Sequence, residues 1–291
     1  VLIFGIMVLL VVPASQRIAG SSGFPGLRLA AIGAGTMLVA LAAIAPPAPA
    51  ALLLLGAAIA LVAAVWMDRR STERLMPPDA FSLRTAVGSG LWLFLLMPIA
   101  GAATAVYLVL LLQQLWGYGP TLASALGAVM AIGWSCSSVT VANVRKRATR
   151  RILIRTGPVL LALGLLAVLF ALETSQLPVL VAGQFAIGMG FGISNGYIML
   201  TIMEASTDSE RDRTSALLPT TQSAGNALGA ALAGVAANAA GYAQANGEAE
   251  ILVAIVPLFF MAVGFAVLAW LAALRMVHLA KTTPIAQFAD G

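Results

Sequence analysis

Residues Trp92–Arg151 read WLFLLMPIAGAATAVYLVLLLQQLWGYGPTLASALGAVMAIGWSCSSVTVANVRKRATRR. An apolar run (Trp92–Leu112) gives way to a gap without Lys or Arg (Gln113–Thr121). A second apolar run (Leu122–Val144) then meets a basic cluster from Arg145 to Arg151. A helix crosses a hydrocarbon core of about 30 Å with roughly 20 apolar residues, each rising about 1.5 Å. Both runs reach that length and neither alternates as a barrel strand does. Inside lipid the helix satisfies its own backbone polar groups, so each run is predicted to be a transmembrane helix.

The same unit repeats in both directions. Further apolar runs occupy Arg28–Ala45, Ala51–Met67, Ile152–Leu172, Pro178–Met203, Thr214–Ala240 and Ile251–Leu274. All 16 Lys and Arg fall into alternate gaps: Arg17 and Arg28, Arg69 to Arg84, Arg145 to Arg155, Arg211 to Arg213, and Arg275 to Lys281. The intervening gaps, Pro46–Ala50, Gln113–Thr121, Glu173–Leu177 and Gly241–Glu250, hold none. Lys and Arg are retained on the cytoplasmic side during insertion, so this sorting predicts orientation, with a cytoplasmic C-terminus. The fold class expected is an all-α polytopic membrane protein.

Composition agrees. The chain is 60% hydrophobic and 9% charged, with a mean hydropathy of +0.97, whereas soluble domains carry about 25% charged residues. The partner implied is the lipid bilayer. The net charge of +5 does not point to nucleic acid, because the cations flank apolar runs instead of forming one soluble face. The single cysteine, Cys136, excludes an intrachain disulfide and a cysteine-based metal cluster.

The run Val1–Pro13 is too short to span and lacks the charged n-region of a signal peptide. It is read as the end (residues 1–13) of a truncated helix with sequence missing upstream; a short interfacial helix after a non-Met start is the alternative. The remaining organisation is a helix pair over 28–67, joined at an outer turn by Pro46-Pro47-Ala48-Pro49, and a cytoplasmic connector over 68–91. A six-helix unit over 92–275 and a cytoplasmic tail over 276–291 complete it.

The six later runs differ in chemistry. Ile152–Leu172 and Ile251–Leu274 are almost purely aliphatic and aromatic, which suits a lipid-facing periphery. The others place polar side chains at helical spacing: Tyr107 with Gln114; Trp134 with Ser138; Gln184, Gly188, Phe191 and Asn195; and Gln222, Asn226 and Gly229. An amide without a partner is costly in lipid, so these faces are expected to point inward. Interhelical hydrogen bonding and the lining of a cavity both fit them. Gly188, Gly190, Gly192 and Gly196, and then Gly225, Gly229 and Gly234, mark faces where helices approach closely, for packing or for gating.

Several chemistries find no support. Apart from Arg155 in the first turn of its run, no run interior contains Asp, Glu, Lys, Arg or His, and His278 lies beyond the last run. No GxxxxGK[ST] loop is present, so ATP-driven transport is not encoded here. No cofactor, metal site or catalytic residue is expected, and the chain is not read as an enzyme.

The order of one helix, a short pair, a connector and six helices resembles the major facilitator superfamily, in its fourteen-helix drug:proton antiporter branch. Ala142–Arg151 resembles that family's later G-x-x-x-D-R-x-G-R-R loop, with Arg147, Arg150 and Arg151 on basic positions. It departs at Ala142, Lys146 and Thr149. Gln184–Gly196 followed by Ser215–Gly234 resembles the family's glycine-rich spans. The resemblance implies proton-coupled efflux of lipophilic or cationic small molecules from a bacterial inner (plasma) membrane. It also implies a cavity wall drawn from Tyr107, Gln114, Trp134, Gln184, Asn195, Gln222 and Asn226. Protons would be handled by the missing N-terminal half. An inactive fragment or membrane scaffold, and a facilitator exporting a metabolite such as an amino acid, remain as alternatives.

Overall fold

A computed structural model describes residues 26–71, 74 and 76–282. The short run 1–13, Arg17 and residues 283–291 lie outside the described residues. Eight helices succeed one another in the described chain: α1 Gly26–Ile44, α2 Pro47–Arg70, α3 Ala86–Trp116, α4 Pro120–Val141, α5 Arg147–Thr174, α6 Leu177–Ala205, α7 Arg211–Ala239 and α8 Glu248–Thr282. Short 3-10 turns, Asp208–Glu210 and Tyr242–Gln244, flank α7. No strand occurs among the described residues. The chain is an all-α polytopic integral membrane protein.

Local sequence sets the helix ends. The Thr85 hydroxyl accepts from the Gly88 N–H at 3.2 Å and caps α3. Gly117, at φ 64°, closes α3 in the left-handed conformation that glycine tolerates. Prolines sit in the first turns of α2, α4 and α6, where no helical N–H is required. Glu248 and Glu250 open α8 and Lys281 closes it, complementing the helix dipole. Four helices also carry an internal proline: Pro98 in α3, Pro158 in α5, Pro219 in α7 and Pro257 in α8.

Six helices (α2 to α6 and α8) are long and apolar enough to cross a membrane. The eight apolar runs of the sequence exceed that by two. The apolar helical part of α1, Gly26–Ala42, is short. α7 has the length, roughly 43 Å at 1.5 Å per residue, but its Thr, Ser, Gln and Asn side chains lower its hydropathy. Other boundaries differ too. The connector is only 71–85, because Asp68 to Arg70 end α2 and Ala86 begins α3. α8 continues through the expected start of the tail to Thr282, since Met276 and Val277 are buried and hold it in the core. Asp68, a connector residue by sequence, is buried inside the end of α2. It pairs with Arg28 of α1 at 2.6 Å and also accepts from the Met76 N–H at 3.0 Å.

α3 is the central helix, packed against α6, α7 and α8. α5 lies between α6 and α8, α4 lies on α6, and α1 joins α2 to α7. α5 and α8 each bury one stripe (Leu161 and Leu165; Leu258 and Phe259) and expose another (Leu163 and Phe170; Phe260 and Leu271). Lipid is as apolar as leucine, so association here depends on close packing instead of water exclusion. Glycine supplies it. A Cβ on Gly157 or Gly190 would stand 2.7 or 2.6 Å from the other's carbonyl oxygen, where α5 crosses α6.

Candidate substrate cleft

α3, α4, α6 and α7 converge on a cleft of about 300 Å³. α3 supplies a strip of small side chains (Gly101, Ala102, Ala105) with Pro98 and Val106; α4 supplies Met130 and Trp134; α6 supplies Phe191; α7 supplies Gln222 and Asn226.

Two glycine joints set this geometry. A Cβ on Gly188 would lie 1.9 Å from the Met130 carbonyl oxygen, and one on Gly192 would lie 2.4 Å from that of Trp134. The α4 backbone therefore rests directly on α6. The indole of Trp134 is thereby carried over Phe191, stacked at 5.1 Å and 6°. Ser138 fastens the joint by donating to the Trp134 carbonyl at 2.8 Å and lying 3.3 Å from that of Gly192. The tip of Phe191 reaches Gly101, where a Cβ would be 3.2 Å away. Across the cleft, Gly225 and Gly229 seat α7 on α3, with Cβ positions 2.6 Å from the Leu95 carbonyl and 2.8 Å from Ile99 Cα. Gln222 and Asn226, on the neighbouring face, are left half-buried and exposed.

None of the ten lining residues is ionisable. The wall offers an aromatic pair, an apolar floor and two amides, each amide with both donor and acceptor capacity. It can stack against a flat apolar ligand and hydrogen-bond its polar edge, without a fixed charge to select sign.

Of the residues singled out from sequence, Trp134, Gln222 and Asn226 line this cleft. Tyr107 and Gln114 sit toward the C-terminal end of α3. Tyr107 meets Tyr242 edge to face at 5.4 Å, and the Tyr242 hydroxyl donates to Gln114 Oε1 at 2.5 Å. Burial, and then the nearby Tyr107, raise the Tyr242 hydroxyl above its ordinary pKa, which keeps it a donor. Gln184 is 2% exposed and its Oε1 has no partner. Asn195 is half-buried, one turn beyond Phe191 on α6. Gly196 has open space where a Cβ would stand, unlike Gly188 and Gly192.

Arg147, Arg150 and Arg151, loop residues by sequence, lie in the first turns of α5. Arg150 alone of the three is tied across helices. It donates to the Val144 carbonyl at 3.0 Å, lies 3.6 Å from Glu204 of α6, and covers the Tyr197 ring at 5.6 Å. Tyr197 in turn donates to the Val141 carbonyl. Sequence reasoning passes over the small strip of α3 and Met130. The i, i+4, i+7 spacing of Pro98, Ala102 and Ala105 is the available signal.

No family model matches the chain. Two curated relatives, each named "probable multidrug-efflux transporter" and from two strains of Mycobacterium tuberculosis, are 30% identical to it over 240 residues. The match covers 78% of this chain and 50% of each relative. The chain thus spans about half the length of the curated relatives it matches. It is a polytopic membrane protein with distant likeness to proteins named for multidrug efflux.

Proposed function

We propose that this chain is the C-terminal portion of a major-facilitator efflux transporter of the fourteen-helix drug:proton antiporter branch. Its substrates would be lipophilic or cationic small molecules. The observation that carries the reading is the convergence of α3, α4, α6 and α7 on one uncharged cleft walled by Trp134, Phe191, Gln222 and Asn226. A broad apolar wall with few polar anchors suits loose substrate choice. The name of the two relatives supports efflux as the activity. In this reading α1 and α2 are the extra helix pair of that branch. A second six-helix half faces the cleft, and the two halves rock about a site near the bilayer midplane. The basic end of the bundle faces the cytoplasm of a bacterial inner membrane. The chain performs no covalent chemistry and needs no cofactor. Proton coupling requires a titratable group within the membrane, and it falls to the facing half because this wall of the cleft has none.

The test is dye efflux from energised vesicles carrying the transporter that contains this chain. Loss of one hydrogen bond of about 1 kcal/mol predicts that Gln222→Leu and Asn226→Leu each slow efflux roughly three- to tenfold at equal expression. Asn195→Leu, outside the lining, leaves it within about twofold on the same scale. Unchanged efflux in both cleft variants removes the site assignment, and efflux that survives an uncoupler removes the proton.

A further inference from the structure

A second opening lies on a different face of α3. Trp92 and Leu96 of α3 and Leu268, Leu271 and Ala272 of α8 wall an apolar groove of about 580 Å³. Leu268 and Leu271 are 49% and 50% exposed, so the groove opens outward from the bundle. One end is polar. Arg275, one turn beyond Leu271, lines the groove together with Leu83 of the connector, and its Nε donates to the Leu83 carbonyl at 3.1 Å. That bond fixes the guanidinium while leaving its two terminal amino groups free. Among the described residues no carboxylate pairs with it; the four ion pairs are Arg28–Asp68, Arg150–Glu204, Arg211–Asp208 and Arg213–Glu210. Trp92 is fixed as well, its indole N–H donating to the Phe81 carbonyl at 2.8 Å and its ring meeting Phe81 edge to face. His278 continues the Arg275 face one turn on and is exposed.

We propose that this groove is a binding site for an anionic phospholipid. The acyl chain lies along Trp92, Leu96, Leu268 and Leu271, and the headgroup phosphate sits on Arg275. The groove has the two properties such a ligand needs in the right order, an apolar trough ending in an oriented, unpaired guanidinium. Guanidinium and phosphate pair through parallel charge-assisted hydrogen bonds, which a zwitterionic headgroup only partly offers because its own cation competes. The end concerned is the one where the chain concentrates its Lys and Arg, which favours anionic lipid in general; the groove adds a defined seat.

The experiment is native mass spectrometry of the transporter that contains this chain, released from detergent and titrated with phosphatidylglycerol or phosphatidylcholine of matched chains. The wild type is expected to retain one phosphatidylglycerol at concentrations where phosphatidylcholine is lost. Arg275→Gln should weaken phosphatidylglycerol about tenfold, as loss of a charge-assisted hydrogen bond implies, and leave phosphatidylcholine unchanged. Arg275→Lys keeps the charge but loses the paired donors, so its affinity for phosphatidylglycerol should fall between those of the wild type and Arg275→Gln. Leu271→Trp fills the exposed groove and should weaken both lipids together. Equal retention of the two lipids by the wild type overturns the proposal, and so does wild-type affinity in Arg275→Gln. A lipid-free dimer that Leu271→Trp dissociates overturns it in favour of a second copy as the occupant.

Discussion

The crossing of α4, α5 and α6 and the α1–α2 hairpin are both built from apolar helices but are opposite in construction. At the crossing, glycines let backbones touch: Gly188 and Gly192 against α4, and Gly190 against α5, all leave less than 3 Å for a Cβ. In the hairpin, Gly33 faces open space and Gly35 meets the Leu61 side chain at 2.7 Å, with the nearest backbone atom, the Ala57 carbonyl oxygen, 3.4 Å away. The most apolar window of α3, in the same six-helix unit, is 67% buried, against 17% for α2. The hairpin meets α7 through a small cluster of Val39, Ala57 and Ala231, and a part-buried ion pair, Arg28–Asp68, joins its two helices. Apolar length puts a helix in the bilayer. Side-chain absence decides which helices touch backbone to backbone.

The sharpest way to break this contrast is Gly188→Leu. With the Met130 carbonyl 1.9 Å from its Cβ, the crossing cannot close without moving two backbones, and a loss of about 3 kcal/mol or more is expected by the upper range of overpacking costs. Loss of monodisperse protein in detergent reports it; normal melting would mean that the joint is soft. Asp68→Ala comes next. It removes the 2.6 Å partner of Arg28 and the acceptor of the Met76 N–H at a part-buried site, and should cost about 2 kcal/mol, but only within the hairpin. Rapid proteolysis in the connector, with unchanged melting of the six-helix unit, is the expected signature.

Gln184→Leu should act in the opposite direction. It removes a buried oxygen that has no partner and is expected to gain about 1 kcal/mol in denaturant unfolding. A loss of similar size would point to a hydrogen bond formed by Gln184 in the membrane. The smallest effect belongs to Gly33→Ala in α1, where the added methyl meets nothing. Helix propensity alone predicts a gain of about 0.5–1 kcal/mol. The same change at Gly188 should be strongly harmful, so the pair of alanines measures the contrast at one methyl each.

Helix number and order are legible because they depend on length, hydropathy and cation sorting, which are properties of single segments. α7 shows the limit of that reading: its run is recognisable by position, yet its amides and hydroxyls take it below the apolarity of its neighbours. The cleft is legible only in part. Trp134, Gln222 and Asn226 stand out as polar or aromatic breaks in apolar runs. Pro98, Ala102 and Ala105 do not, because a small apolar side chain looks alike whether it faces lipid, a helix or an opening. Tyr107 and Gln114 share a face with no cleft on it, and what engages them is Tyr242, far off in sequence. The end of α8 escapes the sequence because charge at Arg275 and Lys281 marks an interface, whereas Met276 and Val277 are held by partners on other helices.

The four internal prolines have a further consequence. Proline has no N–H, so Pro98, Pro158, Pro219 and Pro257 leave the carbonyls of Phe94, Ile154, Ser215 and Val253 without their usual helical donor. At each point the ladder is already interrupted in the resting fold. Bending α3 or α7 there breaks no bond that has not been given up, so the stiffness of these two helices is lowest beside the cleft that Pro98 lines. Flexure in this bundle is thereby localised to four fixed depths, instead of being shared along the rods.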